Sequence, residues 1–240
     1  MTGSDKPGRS KRELVLFQPE VVRALARRLH LVHLLARFPE RLVWALFMFV
    51  NGFLTIGLLS GVAMVFHTPW VFPSLGPTAF LFFVTPTAPS ASPHHTIYGH
   101  AIGIICGYAA LWLTGLTHAP PAPIAGVTEA RVIAAALSLA TTGALMILFK
   151  AAHPPAGATT LIISLGIISK PFYLLIMEVA VGILTIQAIA INRLAGLDYP
   201  IWARRAEAQP DKGREAFEEP RLSTEVPGTT PLRHERSVSP

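Results

Sequence analysis

Between Leu42 and Asn192 the only formally charged residues are Glu129, Arg131, Lys150, Lys170 and Glu178. Soluble domains carry about a quarter of their residues charged, and a stretch this long with so few cannot cover itself against water. The whole chain, 240 residues with 51% hydrophobic and 14% charged, follows the same bias. A lipid-embedded domain with two polar tails is the expectation. Four apolar segments have the roughly 20 residues that a helical crossing needs. They lie at about 42–66, 97–116, 132–149 and 172–192.

The tails set the expected orientation. Lys6, Arg9, Lys11, Arg12, Arg23, Arg27, Arg28, Arg37 and Arg41 precede the first span, and Arg193, Arg204 and Arg205 follow the last. Basic flanks stay on the cytoplasmic side, so both termini are expected there, in a bacterial-type inner (plasma) membrane, with an even number of crossings. Residues 1–12 and 203–240 are polar and expected to be disordered. Residues 13–41 read as a basic amphipathic helix lying on anionic headgroups, with Val22, Leu25, Leu29, Val32 and Ala36 on one stripe. The net charge of +6 comes from these flanks and is no nucleic-acid signal. No cleavable signal peptide is expected, because the first long apolar run begins only after residue 41. The single cysteine, Cys106, excludes an intrachain disulfide and a cysteine-based metal cluster.

Two stretches interrupt the apolar pattern in the same way. "PSLGPTAFLFF" from Pro73 and "PPAGATTLIIS" from Pro154 share P-x-x-G-x-T followed by an apolar run, each just after a long span. Proline removes a backbone donor and glycine loosens the dihedral restraint, so neither stretch continues the preceding helix. Broken backbone survives at membrane depth only when buried in protein or lining a wet cavity. The runs that follow, about 77–85 and 158–169, predict short helices. The first reaches only about 13 Å, less than half the hydrocarbon thickness, and a re-entrant half-helix suits its length and the parity of crossings. The fold expected is all-α and polytopic: four transmembrane helices in two repeats, each with a Pro/Gly-broken re-entrant half-helix. Two spans plus a re-entrant loop per half would make the repeats parallel. A short helix that completes its crossing would make three passes per half, and inversion.

A half-helix beginning at G-x-T aims unpaired N–H groups and the positive dipole end into the protein. Two such ends facing each other form an anion site without a buried cation. Gly76, Pro77, Thr78, His153, Pro154, Pro155, Gly157, Ala158 and Thr159 are the candidate substrate-binding residues; the alternative is a tight crossing of two breaks. His100 and Glu178 are the candidate proton-coupling pair, since a carboxylate inside a span is costly and imidazole titrates near neutrality. Both could equally sit near headgroups. Asn51 reads as packing glue across a helix interface. Gly99, Gly103 and Gly107, like Gly57 and Gly61, offer small faces for close helix approach. His94 and His95 are adjacent and cannot share one helical face, which makes a metal site there weak. Neither a metal nor another cofactor is expected, and the absence of a nucleophile elbow, phosphate loop or paired carboxylates argues against an enzyme.

The block "HPPAGATTL" at 153–161 resembles the signature of the HPP family of small integral membrane proteins. "PSLGPTAFLFF", "GHAIG" at 99–103 and "YPIW" at 199–202 are similar to other blocks of that family, and the resemblance covers about residues 38–202. It implies four spans and, because some plastid and cyanobacterial members are linked to nitrite transport, passage of a small inorganic anion. Ser74 stands in the first break where Pro155 stands in the second, and His94–His95 occupies a place where the family pattern suggests Arg-Asn. Two rivals stay open: a membrane-embedded metal- or haem-binding redox protein using His67, His94, His95, His100 and His153, and a non-transporting assembly or sensor subunit. A small inorganic anion and anionic lipid are the expected partners, nucleic acid is not, and a homo-oligomer is compatible with so few spans.

Overall fold

The computed structural model describes residues 31–203. The expectations for 1–12, for most of the amphipathic segment 13–41 and for the tail beyond residue 203 lie outside the described residues. What is described is all helical: α1 (Leu31–Leu35), α2 (Glu40–Phe66), α3 (Leu75–Val84), α4 (Pro93–Leu113), α5 (Ala122–Ala125), α6 (Glu129–Leu148), α7 (Pro155–Ser164) and α8 (Pro171–Leu194), with a 3-10 turn at Pro89–Ala91. Four of these, α2, α4, α6 and α8, are long and apolar enough to cross a bilayer.

Local chemistry sets the boundaries. Helix α4 starts at Pro93, earlier than the apolar pattern suggested, because Ser92 caps it by accepting from the His95 amide and proline is pre-set for the first turn. It stops at Leu113, since Gly115 turns into the left-handed region. Helix α7 likewise ends at Ser164, not near 169. Gly166 at φ 78° lets the Ile167 amide reach back to the Ile162 carbonyl, a glycine-terminated helix end. Both short helices therefore have ten residues, about 15 Å each. The long helices before them end alike, on the left-handed residues His67 and Lys150.

The path of the chain departs from the re-entrant expectation. One end of the bundle holds the start of α4 and the end of α8. There the Tyr199 hydroxyl donates to the Ala91 carbonyl and the His94 amide donates to the Trp202 carbonyl. Tyr199 is buried, and burial pushes its phenol up from its ordinary pKa, so it stays a donor. The end of α3 reaches this same end, since Asn192 donates to the Phe82 carbonyl. The start of α2 does too, through the Phe47–Phe83 edge contact. The opposite end holds the connector between α4 and α6. The Ala122 amide of that connector donates to the Leu165 carbonyl at the end of α7. Each break with its short helix thus leaves the bundle at the end opposite to the one where the preceding long helix delivered it. The order long–short–long runs one way through α2–α3–α4 and the reverse way through α6–α7–α8.

The α4–α7 contact positions the second break. Helix α7 lies along the glycine stripe of α4, running parallel to it. A Cβ on Gly99 would stand 2.6 Å from the His153 Cβ, one on Gly103 would stand 2.8 Å from the Ala156 carbonyl oxygen, and one on Gly107 would stand 2.9 Å from the Thr160 carbonyl oxygen. Only bare backbone permits that approach, so the stripe is used inside the chain. The first break is held by apolar packing: Leu75, Phe82 and Phe83 of α3 join Leu59 of α2 and Met177, Val181 and Leu184 of α8 in one core. Asn51 bonds within its own helix, donating to the Phe47 carbonyl, and makes no bond across an interface among the described residues.

Two tests follow from this packing and path. Gly103→Leu should lower the thermal stability of the purified protein by an amount equivalent to about 1–3 kcal/mol or prevent folding. Gly143→Ala, where a Cβ meets nothing within 4 Å, should leave it unchanged or slightly higher. In a Cys106→Ser background, a cysteine at exposed Thr87 should react with an impermeant thiol reagent from the face that labels a cysteine at Arg37. A cysteine at His118 should label from the other face. The reverse pattern would restore a re-entrant path.

Candidate functional site

The two breaks meet, and they meet through hydroxyls and imidazoles. Ser74, the residue before α3, lies with its Oγ 2.6 Å from Oγ1 of Thr159 in α7. Thr159 Oγ1 is 2.8 Å from Nδ1 of His100 in α4. The other ring nitrogen of His100 is 3.0 Å from Oγ1 of Thr78 in α3. Thr78 Oγ1 is also 3.2 Å from Nε2 of His153, and it lies 2.9 Å from the Ser74 carbonyl one turn back on its own helix. His153 Nδ1 donates to the Ser90 carbonyl at 2.7 Å, with Thr96 Oγ1 a more distant neighbour at 3.5 Å. The two rings lie 5.0 Å apart between centroids. Ser74, Thr78, His100, His153 and Thr159 are all fully buried. Polar groups so enclosed are tolerable because each has a partner.

The nine candidate binding residues do not form one surface. On a helix, positions two apart are separated by about 200°. G-x-T therefore sends its glycine and its threonine to opposite faces. Thr78, Thr159 and His153 point into the cluster. Gly76, Pro77, Pro154, Pro155 and Ala158 instead line a groove of about 620 Å³ together with Phe80 and Leu81. Gly157 faces α6, where a Cβ would stand 3.4 Å from Leu139 Cδ1.

The supply of free amides also differs from the expectation. The Leu75 and Gly76 amides donate to the carbonyls of Phe72 and Pro73, and those of Ala156 and Gly157 donate to His153 and Pro154. Pro77 and Pro155 have no N–H at all. The first turns close on themselves, so the polar donors available at the meeting point are side chains.

His100 and Glu178 are not brought together by a hydrogen bond. The ring nitrogens of His100 engage Thr78 and Thr159. Both carboxylate oxygens of Glu178 are buried without a hydrogen-bond partner among the described residues. The other histidines are dispersed: His67 ends α2, His95 Nδ1 lies 2.7 Å from Ser92 Oγ, and His94 packs against the rings of Tyr98 and Trp202.

Three contributors escape a motif search. Ser74 looks like a mere departure from the second break, yet it is the residue that joins the two. The Ser90 carbonyl carries no side-chain signal. Arg131 reads as an interfacial charge at the start of a span, but it is buried. Its guanidinium donates to the carbonyls of Ser164 and Pro120, at 3.0 and 2.9 Å. A cation at the last carbonyls of α7 complements the negative end of that helix and holds its far end while His153 holds the near one. Thr142 and Thr160, 3.0 Å apart, tie α6 to α7 between those points.

Comparison with known proteins agrees with this membrane architecture. A family model described as HPP, transmembrane region, matches residues 38–200. A transmembrane protein of Dictyostelium discoideum is 30% identical over 169 residues, which are 68% of this chain and 51% of that protein. The chain thus spans about half the length of that curated relative. No solved structure matches.

Proposed function

Because the chain belongs to the HPP transmembrane family, we propose that it is a transporter or channel for a small inorganic anion, nitrite or a similar monovalent species. The observation that carries this reading is the cluster itself. Five buried polar side chains from both breaks and from α4 converge where two short helices meet inside a lipid-crossing domain. Polar groups are expensive at that depth and by default serve passage. Hydroxyls and imidazole N–H groups are donors suited to an anion of a few atoms, and the positive ends of α3 and α7 add to the attraction. The groove beside the cluster, lined by residues of both breaks, is the route by which a solute reaches it. Opposed long–short–long halves are the arrangement in which a central site is exposed alternately to each side.

The bundle end that carries Arg37, Arg41, Lys150 and Arg193 faces the cytoplasm in this reading, by the positive-inside bias. The membrane is the bacterial-type inner membrane, with anionic headgroups as the partner of the N-terminal basic segment. A homo-oligomer would complete the lipid-facing surface of α2, where Phe49 and Phe53 are exposed.

Uptake into proteoliposomes with a panel of anions tests the reading. Thr159→Val removes one donor without changing shape. It should reduce uptake about tenfold or more, as loss of a hydrogen bond to a charged group worth about 1.5–3 kcal/mol implies. Thr159→Ser should retain most of it. Uptake unchanged in Thr159→Val, or no uptake of any anion by the unaltered protein, would overturn the proposal.

A further inference from the structure

The geometry points to a single directional hydrogen-bond chain, Ser74–Thr159–His100–Thr78–His153, that relays a proton between the two breaks with His153 as its terminal holder. It deepens the transport reading by naming how a proton would accompany the anion.

The direction follows from one atom that can only accept. The Ser90 carbonyl takes its hydrogen from His153 Nδ1, so in a neutral His153 the other nitrogen, Nε2, must accept. Thr78 lies 3.2 Å from it and divides its one proton between this nitrogen and the Ser74 carbonyl, 2.9 Å away on its own helix. Having spent its one proton, Thr78 must accept from His100 Nε2 at 3.0 Å. A neutral His100 then presents Nδ1 as an acceptor, filled by the Thr159 hydroxyl at 2.8 Å. Thr159 in turn accepts from Ser74 at 2.6 Å. Thr78 apart, every member has one role, and the donors point the same way along the chain.

The opposite polarity is the same chain with one more proton. When His153 is doubly protonated, its Nε2–H donates to Thr78, the Thr78 hydroxyl turns from the Ser74 carbonyl to donate to His100 Nε2, His100 Nδ1–H donates to Thr159, and Thr159 donates to Ser74. The Ser74 hydroxyl hydrogen is then free for an anion beside the breaks. Discharge moves each proton by one bond. His153 loses its Nε2 proton, the anion gains the Ser74 proton and becomes its neutral acid, and the chain returns to the first polarity. Each transfer breaks one N–H or O–H bond and forms the next, no bond between two heavy atoms changes, and charge is conserved. His100 changes tautomer in the process, carrying its hydrogen on Nδ1 before discharge and on Nε2 after it.

The surroundings favour a relay over a fixed ion pair. Helices α3 and α7 and the 3-10 turn contain no titratable side chain. The titratable groups facing His153 are His100 and His95 of α4. Across the packed helices, Arg131 of α6 is engaged at the far end of α7, and Glu178 of α8 makes no hydrogen bond among the described residues.

The test is 15N NMR of the histidine-labelled full chain in lipid nanodiscs, recorded through the titration of imidazole. His100→Gln and His153→Gln spectra assign the two rings. As His153 gains its second proton, the protonated-type and unprotonated-type nitrogen signals of His100 should exchange places. Thr78→Val should abolish that exchange, and Thr78→Ser should restore it. A His100 tautomer that stays fixed while His153 titrates would overturn the relay, as would a His153 that never titrates or an exchange that persists in Thr78→Val. No anion is needed, so this result and the uptake result fail independently.

Discussion

A peptide group without a partner cannot stay in an apolar interior, and that constraint governs how this chain can break a helix twice within a lipid-crossing bundle. Each unsatisfied group costs several kcal/mol in hydrocarbon. The breaks meet that demand in three ways: prolines delete donors, the remaining first-turn amides close on carbonyls three residues earlier, and the segment is pressed against protein instead of lipid. The last depends on α4. Its glycine stripe lets the Ala156 and Thr160 carbonyls come within contact distance of bare backbone. A single methyl group on that stripe would push away the break that carries His153 and the helix that carries Thr159.

Once the second break is seated, the remaining polar groups have few alternatives. The hydroxyls of Thr55, Thr160 and Thr185 are returned to carbonyls of their own helices, a usual way to quiet a hydroxyl in an apolar helix. Thr78 does the same with Ser74 but is also within reach of two imidazoles. The cluster is therefore the place where the chain did not quiet its polar groups but linked them. The division of the P-x-x-G-x-T pattern between two faces explains how one short motif serves both ends. Its small residues shape the groove, and its threonine reaches the interior.

Much of this was legible in the residues. The charge-poor stretch, the two breaks, the brevity of the helices after them and the close-approach role of Gly99, Gly103 and Gly107 all follow from local chemistry, and the structure has each of them. The equal lengths of α3 and α7 were obscured because the apolar run continues past Ser164, while the turn at Gly166 stops the helix. The split of the candidate residues between groove and interior is legible in the spacing of glycine and threonine, which places the two on opposite helix faces. Direction was not available. Whether a short helix returns or continues depends on contacts such as Ala122 with Leu165, far apart in the chain. Residue type paired His100 with Glu178, but residue type says nothing about which way a ring faces. His100 turns to the breaks.

The central claim is that the two interruptions touch at the Ser74–Thr159 pair. In full-length protein with Cys106 replaced by serine, cysteines at positions 74 and 159 should form a disulfide within minutes when native membranes receive a membrane-permeant oxidant, seen as a reducible change in gel mobility. Failure of that pair to cross-link in protein that is folded and membrane-inserted, with both thiols free when alkylated after denaturation, would contradict the account.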